Sequence, residues 1–145
     1  MGQICTCGVL VNAVSCDNNV RFAGHIGTVK GDLTYMANVC DTTMSTSTLY
    51  LEFTDKQTHG CRYSFEFVSE TITAVVCRKE GMDCEITVRG TGVVGGRVFP
   101  FEAVFRDQVE AANYDIVQSF VITGFFDQDG AAPVPQGSIF AIGCE

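Results

Sequence analysis

The feature that most constrains this chain is a strict alternation of apolar and polar residues, repeated in one segment after another. Leu33, Tyr35, Ala37 and Val39, for example, are separated by single residues that are mostly polar. A period of two is typical of strands with one buried and one exposed face, because successive side chains of a strand point to opposite sides. Similar segments recur along the chain, and they predict an all-β fold of about nine or ten strands, over residues 9–14, 20–29, 33–39, 49–53, 61–67, 72–76, 84–88, 99–105, 116–123 and 138–144.

Turn-forming residues separate these segments, among them Asp17-Asn18-Asn19, Glu80-Gly81 and Gly95-Gly96. The chain has only three prolines and neither a low-complexity linker nor an internal repeat. We therefore predict one domain over residues 16–145, preceded by a cysteine-bearing arm over residues 1–15 that overlaps the first strand in part. The expected architecture is a two-sheet antiparallel β-sandwich with either jelly-roll or immunoglobulin-like wiring.

Charge and hydropathy exclude several classes of function. The chain has 17 acidic and 9 basic residues, a net charge of −8. Nucleic-acid binding needs clustered Lys and Arg to displace counterions from phosphates, and no such cluster exists, so we predict no nucleic-acid partner. No apolar run reaches the length of a transmembrane helix, so no membrane span is expected.

The sequence offers little for catalysis or cofactor binding. Its two histidines, His25 and His59, lie in no recognisable nucleophile or acid–base motif. The glycines of residues 90–95 match a dinucleotide-binding pattern, but the segment leads into another strand, whereas that site requires a helix. Cys5 and Cys7 are closer together than paired zinc ligands normally are. We therefore predict a protein that is not an enzyme, with neither cofactor nor metal.

Cysteine is the unusual component, with eight residues in 145. The N-terminus lacks the basic start of a classical signal peptide, so the thiols stay reduced, bind metal or oxidise after release from a cell. A tight turn at Glu80-Gly81 would set Cys77 opposite Cys84, within reach of a disulfide, although two buried thiols fit equally well. Candidates for further disulfides within the chain are Cys40 and Cys61, paired with each other or with Cys16.

The cysteines at the two ends call for a different interpretation. Cys5 and Cys7 lie in a short, uncharged leading segment, and Cys144 lies at the opposite end of the sequence. Terminal cysteines are poor staples for a core and good cross-links between subunits, so Cys5, Cys7 and Cys144 are candidates for inter-subunit disulfides. An alternative for the same segment is lipid anchoring, because residues 1–6 fit the short pattern for myristoylation at Gly2.

With Ile4, Cys5 and Cys7 in the arm and Cys144 near the end, the chain resembles the subunits of bacterial endospore appendages. That family combines a jelly-roll body with a flexible arm whose closely spaced cysteines form disulfides with neighbouring subunits. The resemblance implies that Cys144 and Cys16 are acceptors for the arm of another copy. It also implies assembly inside a mother cell and release on lysis, which requires no export signal. The sequence departs from the family in the spacing of its arm cysteines and in its four additional cysteines.

These observations predict a structural subunit that forms a disulfide-cross-linked fibre, extracellular or on a spore surface. Its partners would be identical subunits in a helical homopolymer, joined by insertion of the arm into a neighbour. The alternatives are a secreted or surface-associated module that binds carbohydrate or protein, and a module anchored through Gly2.

Overall fold

A computed structural model describes residues 4–109 and 112–144 of the chain. Ten strands and one short 3₁₀ helix, Asp41–Thr46, make up its regular structure. The strands, numbered in chain order, are β1 Gly8–Phe22, β2 Val29–Cys40, β3 Thr48–Asp55, β4 Phe65–Glu80, β5 Asp83–Val94, β6 Arg97–Asp107, β7 Tyr114–Ile122, β8 Phe126–Asp127, β9 Ala132–Pro135 and β10 Ile139–Ile142. The prediction of an all-β class is therefore confirmed.

The sheet closes into an eight-stranded antiparallel barrel, so the predicted two-sheet sandwich is wrong. Strands β1 to β7 pair in sequence order, each with the next. Strand β1 also pairs along its other edge, with β8 through Phe22 and Phe126 and with β10 through Gly8 and Ile142. Because each of β1 to β7 pairs with its successor and the last elements return to the first, the wiring is up-and-down, without the crossovers of a jelly roll.

The eighth position of the barrel wall is filled by three short pieces instead of one continuous strand. Strand β8 pairs with both β7 and β1, β9 pairs with β7, and β10 pairs with β1. Pro133 and Pro135 lie in β9 and carry no N–H. Proline cannot donate to a strand ladder, which accounts for the change of partner between β9 and β10.

Strand β1 is longer than the sequence indicates. The predicted turn at Asp17-Asn18-Asn19 is a bulge within this strand, where the register to β2 shifts between Ser15 and Asn18. Within this bulge, Asp17 has a left-handed backbone conformation, with φ of 59°. Because β1 begins at Gly8, residues 8–15 of the predicted arm belong to the barrel wall.

The alternating apolar residues fill the interior of the barrel. The largest side chains with less than 2% exposure include Tyr35, Phe53, Phe67, Phe105 and Phe120. Tyr35 donates its hydroxyl to the side chain of Gln128, which in turn donates to the carbonyl of Val117 at 2.9 Å. Within the described residues no helix has the length and apolarity needed to cross a membrane.

Candidate functional site

Three disulfides cluster at one end of the barrel, which we call the disulfide end. They join Cys5 to Cys40, Cys7 to Cys77, and Cys84 to Cys144. Cys40 ends β2, Cys84 lies near the start of β5, and Cys77 lies near the end of β4, so all three bridges meet where these strands turn. The bridges fasten both the segment before β1 and the segment after β10 to the wall.

Hydrogen bonds dock the leading segment as well. The Asp41 carboxylate accepts from the hydroxyl of Thr6 and from the N–H of Cys7, the latter at 3.1 Å. The N–H of Asp41 donates back to the carbonyl of Cys7 at 2.9 Å. The hydrogen bond from Thr6, ahead of those from backbone N–H groups, lowers the pKa of Asp41. The segment is therefore held to its own barrel and does not extend away from it.

These bridges differ from the pairings expected from sequence. Cys5, Cys7 and Cys144, assigned to contacts between subunits, lie in disulfides within the chain. Cys40 pairs with Cys5, and the expected partner Cys61 has none.

A bridge between Cys77 and Cys84, which the sequence allowed as readily as two buried thiols, does not form. The β4–β5 hairpin turns at Gly81-Met82, one residue later than expected, so Glu80 faces Asp83 and Cys77 faces Ile86. Each cysteine pairs instead with a terminal segment, Cys77 with Cys7 and Cys84 with Cys144.

One group of side chains has the spacing of a metal site. The sulfurs of Cys5 and Cys40 and a carboxylate oxygen of Asp41 lie within 4.8 Å of one another. Metal ions bind thiolates, and a sulfur engaged in a disulfide carries no such charge. The oxidised cluster therefore acts as a covalent staple.

The two remaining cysteines, Cys16 and Cys61, are unpaired and exposed. Cys16 lies on the side wall at the β1 bulge, and Cys61 lies in the loop between β3 and β4. Among the described residues only three other than glycine have a left-handed backbone: Asp17 beside Cys16, Cys61 itself (φ 55°), and Asp129. Such conformations cost of order 1–3 kcal/mol and persist only where their surroundings impose them. Cys61 itself therefore has an uncommon backbone conformation, and Cys16 lies next to a residue that has one.

The loop of Cys61 is built around a buried carboxylate. Asp55 is 2% exposed and accepts from the N–H groups of Gln57, Thr58 and Tyr63 at 2.9, 3.0 and 3.0 Å, and also from the hydroxyl of Thr58. Burial alone would raise the pKa of Asp55, but these hydrogen bonds outweigh it and lower the pKa to about 2. The ionised carboxylate thus organises residues 55–63 and fixes where Cys61 emerges.

The end of the barrel opposite the disulfides carries half-buried rings, and we call it the aromatic end. Phe125 lies between Phe65 and Phe99, with ring centroids 4.9 and 5.4 Å away. His25 Nδ1 lies 3.0 Å from the hydroxyl of Tyr63, and no nucleophile or carboxylate in the described part of the chain extends this contact into a catalytic relay. His59, the other histidine, is exposed in the loop of Cys61. The geometry at this end suits packing and surface contact.

A further feature, which the sequence interpretation missed, lies on the outside of the wall. Met36, Tyr50, Val68, Val93 and Val98 are direct cross-strand neighbours on β2 to β6, and we call this row the apolar band. Met36 and Val68 are each 50% exposed, and Val98 is 54% exposed. The sequence contains these apolar residues at positions that alternation assigns to the outside. Only the register between the strands shows that they form one row.

Comparison with protein-family models gives no match, and searches of curated proteins and of solved structures give none either. The resemblance to endospore-appendage subunits therefore stays a prediction.

Proposed function

We propose that this protein is an extracellular structural subunit, without catalytic activity, that polymerises through disulfides between Cys16 and Cys61 of different copies. The observation that carries the proposal is the pair of exposed, unpaired thiols on a barrel whose other six cysteines are bridged. Three disulfides are compatible with an extracellular protein, because such bridges persist in oxidising surroundings.

The two free thiols of each subunit determine how far oxidation can extend. A subunit with only one of them can form one linkage, whereas a subunit with both can be joined at each and grow into a chain. Each new bond forms as two thiols lose two protons and two electrons to an external disulfide such as oxidised glutathione, which is reduced to two thiols. Polymerisation thus uses the same chemistry that closes the three internal bridges.

Other features support a structural role. The interior is filled by side chains such as Phe53, Phe67 and Phe120, so the barrel has the packed core of a scaffold. The disulfide end fastens both terminal segments to the wall, which resists unfolding and proteolysis after release from a cell. Cys16, an expected acceptor, keeps an inter-subunit role in this proposal, and Cys61 replaces the arm cysteines as its counterpart.

Electrophoresis after oxidation with a glutathione redox buffer tests the proposal. The parent protein is expected to give a ladder of multimers that collapses to monomer on reduction. Cys16→Ser and Cys61→Ser should each stay monomeric alone and should form a dimer when the two variants are mixed, because only the mixture supplies both thiols, and the double variant should stay monomeric. Cys7→Ser/Cys77→Ser serves as the control, because it removes an internal bridge and leaves both exposed thiols in place. A monomeric parent, or a ladder from either single variant, would overturn the proposal.

A further inference from the structure

The cluster of Cys5, Cys40 and Asp41 has a second chemical state, which follows reduction of its disulfide. An external dithiol cleaves the S–S bond by giving it two electrons and two protons, so that two thiols form and the dithiol itself becomes a disulfide. Reducing surroundings such as a cytosol keep thiols in this state. Two thiols and a carboxylate, all groups that bind metal ions, then lie side by side at the disulfide end.

Hydrogen bonds hold these groups together without help from the bridge. The Asp41 carboxylate accepts from the hydroxyl of Thr6 and from the N–H of Cys7 at 3.1 Å. The N–H of Asp41 donates to the carbonyl of Cys7 at 2.9 Å. Reduction of the disulfide between Cys5 and Cys40 leaves all three contacts in place, so the carboxylate keeps its position beside the leading segment.

Further contacts fix the backbone on both sides of Cys5. Before it, the carbonyl of Ile4 accepts from the hydroxyl of Thr42 at 3.3 Å. After it, Gly8 pairs with Cys40 in the ladder between β1 and β2, and a side chain on Gly8 would begin 2.7 Å from the sulfur of Cys5. The backbone of Cys5 is therefore held next to Cys40 by contacts that do not depend on the S–S bond.

The spacing of the three groups suits a tetrahedral metal ion. Their ligating atoms lie within 4.8 Å of one another, and Cys40 Sγ lies 3.7 Å from Asp41 Oδ1. Around a tetrahedral Zn²⁺ ion with usual bond lengths, a sulfur and an oxygen are about 3.5 Å apart and two sulfurs are about 3.8 Å apart. In the reduced chain, rotation about the Cα–Cβ bonds of Cys5 and Cys40 separates the sulfurs to that distance, while their Cα atoms stay 5.7 Å apart.

The chemistry of the donors selects the ion. Thiolates bind Zn²⁺ in preference to hard cations such as Mg²⁺ and Ca²⁺. Metal binding displaces the protons of both thiols, so the two sulfurs and the carboxylate of Asp41 together place three negative charges around the dication. Cys5, Cys40 and Asp41 are all half-buried, which leaves access for water to the fourth coordination position.

We infer that the reduced chain binds one Zn²⁺ ion through Cys5, Cys40 and Asp41, with water as the fourth ligand. The ion joins the leading segment to the end of β2 before oxidation, and the disulfide joins the same two segments afterwards. When an external disulfide accepts two electrons from the two thiolates, the S–S bond forms again and the ion leaves. This inference goes beyond the proposed function, because it involves neither Cys16 nor Cys61.

Zinc titration tests the site in a full-length variant that retains only Cys5 and Cys40, with the other six cysteines replaced by Ser. A phosphine keeps the two thiols reduced, competition with a chromogenic chelator measures affinity, and circular dichroism follows the fold. One equivalent of Zn²⁺ should bind with a dissociation constant of about 1 μM or tighter. Co²⁺ in its place should give the thiolate charge-transfer band and the intense visible bands of a tetrahedral site. A reduced variant that binds no Zn²⁺, whether folded or unfolded, would overturn the inference.

The matched control retains only Cys7 and Cys77, which supply two thiols at the same end of the barrel. Among the described residues, no third His, Cys, Asp or Glu completes a group with these two sulfurs at the spacing found around Cys5. The control should therefore bind Zn²⁺ at least about tenfold more weakly. Equal affinities of the two variants would show that any pair of thiols suffices, and the assigned site would be wrong.

The carboxylate has a test of its own in the variant that retains Cys5 and Cys40. Asp41→Asn should weaken Zn²⁺ binding by about tenfold or more, because even the loss of a group that supports a ligand costs 10–100-fold. Asp83→Asn is the comparison, since Asp83 lies at the same end of the barrel, pairs with Arg106 at 3.1 Å and is outside the cluster, so affinity should be unchanged. Equal affinities of the two variants would contradict the assignment of Asp41 as a ligand.

Discussion

At the scale of single residues, the structure depends on polar groups whose hydrogen bonds are complete. Asp55 is the clearest, because one buried carboxylate organises the turn after β3 and the loop that carries Cys61. Among the described residues, no buried side-chain nitrogen or oxygen lacks a partner. An unsatisfied buried group costs about 1–3 kcal/mol, so each of these contacts is a point where a substitution destabilises the fold.

The ionisation of Asp55 makes the free energy of unfolding depend on pH. Its folded pKa of about 2 lies below its ordinary value of 3.8, so the ionised form stabilises the fold. This contribution is complete above about pH 4 and is lost as the pH falls towards about 2. Asp55→Asn should lower the free energy of unfolding near pH 7 by about 1–3 kcal/mol and should flatten the loss between these pH values.

Denaturant unfolding at several pH values, with the disulfides intact, measures both effects. Asp127→Asn is a suitable comparison, because Asp127 is exposed and accepts one backbone hydrogen bond, from Asp129 at 2.8 Å. If the two substitutions gave the same pH profile, the assigned role of Asp55 would be incorrect.

At the scale of strands, close contacts between neighbours decide which residues fit. Gly92 occupies an inward position of β5, and the ring of Phe67 from β4 fills the space where a side chain would begin. Overpacking of a core costs typically about 1–3 kcal/mol, so Gly92→Ala should destabilise the barrel by that amount.

A double-mutant cycle can test this contact. Phe67→Leu removes the ring that a new methyl group would strike, so Gly92→Ala should be less costly in that background than in the parent. Equal costs in the two backgrounds, measured by denaturant unfolding, would show that the Phe67 ring is not what opposes the new methyl group and would leave the backbone oxygen of Val68, 2.8 Å from the Cβ position, as the obstacle.

Strand alternation explains both the success and the failure of prediction at this scale. Leu33, Tyr35, Ala37 and Val39 are buried, as their spacing predicts. Alternation predicts which residues of a strand face inward, but it does not predict which strand pairs with each of its edges. Closure of the barrel depends on the pairing of β1 with β8 and β10 along the edge that does not face β2. A shift of one residue in the β4–β5 turn likewise changed what faces Cys77. Local patterns therefore predicted strands, whereas closure and disulfide pairing depend on contacts between residues far apart in sequence.

At the scale of the whole molecule, the disulfides stabilise the fold by lowering the conformational entropy of the unfolded chain. Cys7 and Cys77 are 70 residues apart, and Cys5 and Cys40 are 35 apart. In the chain-entropy account each bridge alone stabilises by about 4 kcal/mol, and doubling the loop adds only about 0.6 kcal/mol.

Variants that retain one bridge each, in the Cys16→Ser/Cys61→Ser background, isolate these loops. We expect the variant with Cys7–Cys77 to be more stable than the variant with Cys5–Cys40 by about 0.6 kcal/mol in urea unfolding. The variant without any bridge is the reference. A reversed order would show that strain or residual structure, and not loop length, controls their contribution.

The closure of the barrel has a consequence for synthesis on the ribosome. Strand β1 emerges first and gains β2 promptly, but its other neighbours, β8 and β10, lie near residues 126–142. At about 5–20 residues per second, roughly 5–20 s pass between completion of β2 and arrival of β10. During that interval one edge of β1 has unsatisfied backbone groups that can pair with another nascent chain. Ring closure is therefore among the last steps of folding, and crowded translation is when this protein is most exposed to mispairing.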